Sequence, residues 1–170
     1  MHKTLVLALG LTAAAPALAA GIEVDIELPR IDVADFRRPY VAVWLERPDN
    51  TVAANLAVWY GIKMRDGEGT KWLKDLRQWW RRSGRELAVP VDGVTSATRA
   101  PGTHRLSFTA GEAPLGKLAA GEYRLVVEAS REHGGREVLN VPLTWPPAAA
   151  TSAKVQGKHE LGTVAVQLVP

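Results

Sequence analysis

Residues 22–28 of this 170-residue chain, Ile-Glu-Val-Asp-Ile-Glu-Leu, alternate apolar and acidic side chains without a break. A period of two puts every apolar residue on one face of an extended strand and every carboxylate on the other; a helix cannot separate them in that way. The segment therefore predicts a strand with one dry and one wet face. A one-residue slip in its pairing would turn three carboxylates into the core, so its register is strongly specified.

The same signal recurs along the chain. Residues 40–46 (Tyr-Val-Ala-Val-Trp-Leu-Glu) form a more apolar run, Pro48-Asp49-Asn50 reads as a turn, and Val52 to Tyr60 reads as the returning strand. Residues 105–109 and 121–129 alternate again, His133-Gly134-Gly135 predicts a hairpin turn into residues 138–143, and residues 162–169 form a last strand. Seven or so short strands with turn signals between them predict an all-β fold, an antiparallel β-sandwich. The segment from Pro114 to Leu125, where Gly121 precedes an alternating Tyr123 strand, resembles the entry to a late strand of bacterial immunoglobulin-like modules, which implies an immunoglobulin-like sandwich. Residues 146–152 read as a loop or linker.

One helix is expected to interrupt the strands. Thr70 can cap residues 71–83, and Gly84 stands where a left-handed C-terminal residue is wanted. Trp72, Leu73, Leu76, Trp79 and Trp80 share one face at helical spacing, with Lys71, Lys74, Arg77, Arg81 and Arg82 around the other. Three readings of this Trp-rich amphipathic helix stay open. Its apolar face packs on the sheet, Trp79 or Trp80 stacks on a flavin ring, or the basic helix lies on an anionic membrane surface or an acidic partner. The last fails if the whole apolar face is buried.

The first residues predict export. Lys3, the apolar run from Leu5 to Leu18 and the Ala17-Leu18-Ala19 site have the order of a cleavable signal peptide over residues 1–19, leaving residues 20–170 as one domain. The run is shorter than the roughly 20 apolar residues that span a bilayer, and no later segment approaches it, so no transmembrane segment is expected after cleavage. The chain has no Cys, so neither a disulfide nor a thiolate metal site is available. Without Lys3 the Lys and Arg count falls from 21 to 20 against 18 acidic residues. That mild basicity, without a groove-reading motif, predicts no nucleic-acid partner.

Chemistry concentrates in Asp92-Gly93-Val94-Thr95-Ser96-Ala97-Thr98. The string resembles the acceptor signature of exported proteins that carry covalent FMN: Asp, two variable residues, Ser or Thr, Gly, Ala, Thr. The resemblance implies that a flavin transferase joins the FMN phosphate to the hydroxyl of Thr98, with Asp92, Thr95 and Ala97 at the other fixed places and Ser96 where Gly is usual. Small neighbours and the flanking Gly93 and Pro101-Gly102 suit an exposed, bendable loop; an ordinary turn followed by a polar loop reads the same way. His104, His133 and His159 lack metal-ligand spacing and read as surface or hydrogen-bonding residues, and no metal site is expected. Asp92, as a base near Thr98, is outweighed by the habit of turn acids to bond their own backbone.

The signal segment, the Trp-rich helix, the Asp92–Thr98 string running into Arg99-Ala100-Pro101-Gly102, and the late Glu132-His133-Gly134 turn together resemble one uncharacterised family of predicted periplasmic proteins, a domain of unknown function. The resemblance covers nearly the whole chain after the signal. It implies a periplasmic location, association with PepSY-domain membrane proteins and flavin transferases, and electron transfer outside the cytoplasm. Two functions follow as expectations. One is a periplasmic FMN-bearing electron carrier modified at Thr98, itself more a carrier than an enzyme. The other is a cofactor-free immunoglobulin-like binding or accessory module for a membrane partner.

Overall fold

The computed structural model describes residues 19–170, so all of the expected signal segment but Ala19 lies outside the described residues. Nine strands follow: β1 (Gly21–Leu28), β2 (Tyr40–Glu46), β3 (Val52–Tyr60), β4 (Thr95–Ala97), β5 (Gly102–Thr109), β6 (Gly121–Ser130), β7 (Arg136–Trp145), β8 (Thr151–Gln156) and β9 (Thr163–Val169). They form two sheets, one in the order β5-β1-β9-β8 and one in the order β4-β3-β2-β6-β7. The molecule is thus mostly β, with the two sheets stacked as in a sandwich.

The alternation in β1 is realised in full. Ile22, Val24, Ile26 and Leu28 are buried in the core between the sheets, which they share with Val41, Val43, Leu45, Leu125, Val127, Val164 and Val166. The second sheet behaves differently because it is covered on both faces. Ala42, Trp44, Val58, Tyr60 and Val126 point outward from it, yet they are buried in a second core beneath the segment joining β3 to β4. That is why residues 41–45 read as a continuous apolar run and not as an alternation.

The covering segment is not one helix. It is a chain of short turns: α1 (Glu68–Lys71), a 3₁₀ turn at Leu73–Asp75, α2 (Arg77–Arg82) and a 3₁₀ turn at Gly84–Glu86. The break falls at Leu76, whose ψ of 70° leaves the helical region. Glu128, buried on β6, holds the break in place. Its carboxylate accepts the backbone N–H of Gln78 at 3.1 Å and of Trp79 at 2.8 Å, two donors that a continuous helix would have satisfied internally. Arg136 supplies the counter-charge to Glu128. Thr70 does not cap; it lies inside α1, with its hydroxyl donating to the carbonyl of Gly67 at 2.7 Å. Gly84 is not a left-handed terminus either. It is a close approach, since a Cβ there would stand 2.6 Å from the ring of Trp79.

Two strands were not expected from the sequence. The supposed linker after Pro147 enters β8, an edge strand paired antiparallel with β9. The supposed loop at Thr95 is β4, and it pairs parallel with β3, so the second sheet is not wholly antiparallel.

Polar bonds stitch the two sheets together at one end. Arg131, at the β6–β7 turn, grips Glu160, in the turn between β8 and β9, through Nε–Oε2 at 2.9 Å and Nη2–Oε1 at 3.1 Å, with both residues buried. The backbone N–H of Gly135 adds a bond to Glu160 at 2.7 Å. Gly134 and Gly135 are needed there, because a Cβ would lie 2.4 Å from the Arg131 guanidinium or 2.8 Å from the Glu160 carboxylate. Beside them, the Glu137 carboxylate accepts four successive backbone N–H groups, from Lys158, His159, Glu160 and Leu161.

Candidate functional site

The Asp92–Thr98 string begins in a turn and ends in an edge strand. Gly93 adopts φ of +73°, the left-handed region that its lack of a Cβ makes accessible. The turn is closed by Thr95, whose backbone N–H reaches the Val91 carbonyl at 2.9 Å. Its hydroxyl also donates to that carbonyl and accepts the Val91 N–H, each at 2.9 Å. Asp92 stands exposed on the turn, and among the described residues its carboxylate makes no hydrogen bond.

From Thr95 the chain runs parallel to β3, with Thr95, Ser96 and Ala97 opposite Val58, Trp59 and Tyr60. The N–H of Thr98 extends the ladder by one bond, to the Tyr60 carbonyl at 3.2 Å. The segment is therefore a held edge and not the bendable loop that its small residues suggest. Ser96 lies in this strand without a positive φ, so the backbone there is one that any L-residue adopts.

The three hydroxyls are unequal. Thr95 spends its hydroxyl on the turn, whereas those of Ser96 and Thr98 make no hydrogen bond among the described residues, and both side chains are partly exposed. Next to Thr98, the Arg99 guanidinium lies 4.2 Å from the centre of the Trp59 ring. Burial lowers the pKa of Arg99 from its usual value, and a guanidinium so shifted still carries its charge at neutral pH. Trp59 is itself buried, with His104 packed edge-on at 5.6 Å. His104 is fixed in turn by a 2.8 Å contact from Nε2 to the Ala100 carbonyl.

Beyond Arg99 the chain borders a cavity of about 470 Å³, where Ala100 and Pro101 meet Arg30, Val33, Phe36 and Arg38, with Asp32 as the acidic member. Thr98 and Arg99 do not line this hollow; its two guanidiniums, Arg30 and Arg38, are of a type that suits an anionic group such as a phosphate ester. The cations offset its charge, and Arg can hold phosphate oxygens in a bidentate fork.

The two tryptophans expected as stacking platforms have different fates. Trp79 is fully buried, with its indole N–H donating to Asn55 Oδ1 at 2.8 Å, so it has no free face to offer a ring. Trp80 is half-buried against the second core. Neither borders the cavity beside Pro101; the most exposed indole of the segment is that of Trp72.

The histidines are not brought together. His133 sits at the tip of the β6–β7 turn, 3.7 Å from Asp35, and His159 gives its backbone N–H to Glu137. Among the described residues no group of three or more His, Cys, Asp or Glu is placed to hold a metal ion.

The sequence reading missed the buried charges. Glu46 lies 1% exposed at the end of β2, where it accepts the Trp44 indole N–H at 2.9 Å and pairs with Arg124 and Arg82. Glu46, Glu128 and Glu160 are all engaged by arginines, which assigns them to structure. The one signal in the sequence was an acid closing an apolar run in β2 and again in β6.

A family model described as "Predicted periplasmic protein (DUF2271)" matches residues 21–163. No curated protein matches the chain, and no solved structure does.

Proposed function

The chain belongs to this DUF2271 family of predicted periplasmic proteins, and on that premise we propose that it carries FMN joined as a phosphoester to Thr98 and passes electrons in the periplasm. The observation that supports this reading is the state of Thr98. It combines an uncommitted, partly exposed hydroxyl with a backbone anchored to Tyr60, two residues before Ala100, which lines the basic hollow of Arg30 and Arg38.

In the proposed modification, a flavin transferase acts on Thr98 with a flavin dinucleotide as donor. The Thr98 Oγ1–phosphorus bond forms, the donor's pyrophosphate bond breaks, AMP leaves, and the hydroxyl proton passes to a base of the transferase. Edge strand β4 gives the enzyme access from the side that no strand covers. Arg99, Arg30 and Arg38 offset the phosphate charge, and FMN supplies reversible one- and two-electron chemistry. The chain is then a substrate of the transferase and a carrier without turnover of its own. A PepSY-type membrane protein is the proposed redox partner.

The test is the intact mass of protein exported with and without the transferase, for the wild type, Thr98→Val and Ser96→Ala. An FMN-sized increment that requires the transferase and Thr98, and survives Ser96→Ala, supports the reading. No increment in any sample overturns it and leaves a cofactor-free binding module.

A further inference from the structure

Charge is segregated in this molecule. Residues 61–91, the segment covering the second sheet, carry eight Lys or Arg against four Asp or Glu, while the rest of residues 19–170 carry twelve against fourteen. All eight basic residues, Lys63, Arg65, Lys71, Lys74, Arg77, Arg81, Arg82 and Arg85, are exposed. Among the described residues only Arg82 of these eight pairs with a carboxylate, that of Glu46 at 3.4 Å.

The same segment holds three of the five large apolar side chains that stand exposed, Ile62, Met64 and Trp72. Met64 and Trp72 line one shallow cleft together with Arg37 and Arg38. The inward side of the segment is already committed, because Leu73, Leu76 and Trp79 are spent on the second core. An amphipathic helix sinking its apolar face into lipid is thus ruled out. What remains is a basic layer with separate apolar anchors.

We propose that this layer docks the protein on an anionic phospholipid surface, with the lysines and arginines over the headgroups and Trp72, Met64 and Ile62 at the interface. A protein partner needs roughly 800 Å² of complementary surface with an apolar centre. Here the apolar side chains are few, Met64 and Trp72 at one cleft that also holds Asp75 and Glu132, and Ile62 elsewhere, with long cations around them of which only Arg82 is paired among the described residues. That arrangement suits a headgroup layer, which asks for no shape match, and Trp with flanking Lys and Arg is a composition favoured at membrane interfaces. Each basic residue near such a surface is worth about a fivefold change in affinity, converted from the typical contribution per charge.

The experiment is co-sedimentation of the exported protein with vesicles of phosphatidylethanolamine and phosphatidylglycerol, about three to one, and of phosphatidylcholine alone, at about 50 mM and about 500 mM salt. Binding to the anionic vesicles at low salt, lost at high salt and absent with phosphatidylcholine, is the expected result. Lys71→Glu/Lys74→Glu/Arg77→Glu should abolish it, Trp72→Ser should weaken it several-fold, and Lys117→Glu/Lys154→Glu, outside the layer, should leave it intact. Circular dichroism of each variant separates lost binding from lost folding. The proposal is overturned if the wild type ignores anionic vesicles at low salt, or if the triple variant, still folded, binds as well as the wild type. Failure on vesicles with retention on immobilised polyglutamate would assign the layer to an acidic protein instead.

Discussion

Removing the guanidinium of Arg131 should cost this domain a large part of its stability. In Arg131→Met the carboxylate of Glu160, 3% exposed, loses both of its guanidinium bonds and keeps a single backbone donor, that of Gly135. A buried charge left without its partner costs about 3–5 kcal/mol, against a total of about 5–15 kcal/mol for a typical domain. With a urea slope of about 2 kcal/mol per molar, the unfolding midpoint should fall by about 2 M. Urea titration followed by tryptophan fluorescence reads this directly, since Trp44, Trp59 and Trp79 are buried. The double variant Arg131→Met/Glu160→Leu is the decisive sample. With both charges gone no ion is stranded, and most of the loss should return. If the single variant loses less than about 1 kcal/mol, or the double variant is as unstable as the sum of the singles, the grip between the two turns is not what secures this end of the molecule.

Two further outcomes follow from the same structure. Burial works against ionisation of Glu137, yet the four N–H donors from 158–161 together hold its pKa below the ordinary 4.5. A depressed carboxylate contributes stability that is present above the unfolded pKa and lost as pH falls through the folded one. The difference in stability between wild type and Glu137→Gln, measured by urea titration, should therefore shrink between about pH 6 and about pH 3. Gly84→Ala forces a methyl against the Trp79 ring, which a Cβ would approach to 2.6 Å. Its midpoint should drop by the equivalent of about 1–3 kcal/mol, with a changed near-ultraviolet signal from Trp79.

What the sequence disclosed depended on whether the cause was local. The alternation of β1, the Asn50 and Gly134-Gly135 turns and the final strand all act through neighbours in the chain, and the structure has them where the pattern predicts. The covering segment was half legible. Its spacing marked Leu73, Leu76 and Trp79 as an inner face, which they are. The break at Leu76 is held by Glu128, fifty residues away from Gln78, and Trp72, past the end of α1, stands exposed. β8 was hidden because its residues are nearly all exposed, so an edge strand there carries no apolar rhythm. β4 was hidden because three residues become a strand only through the partner that β3 offers. At the candidate site the string and its hydroxyls were visible in the sequence. The division of labour between Thr95 and Thr98, and the hollow that residues 30 and 38 form with Ala100 and Pro101, were not, because both come from tertiary placement.

The four rims of the two sheets bear on how this cysteine-free chain survives at high concentration. An open strand edge is a template for a second chain, and each rim here is a poor one. β4 is three residues long, β5 carries Arg105 at its middle, β8 carries Lys154, and β7 has Pro142, which lacks an N–H to offer. A protein with no disulfide to hold its fold has in these edges a standing defence against joining its neighbours into fibrils.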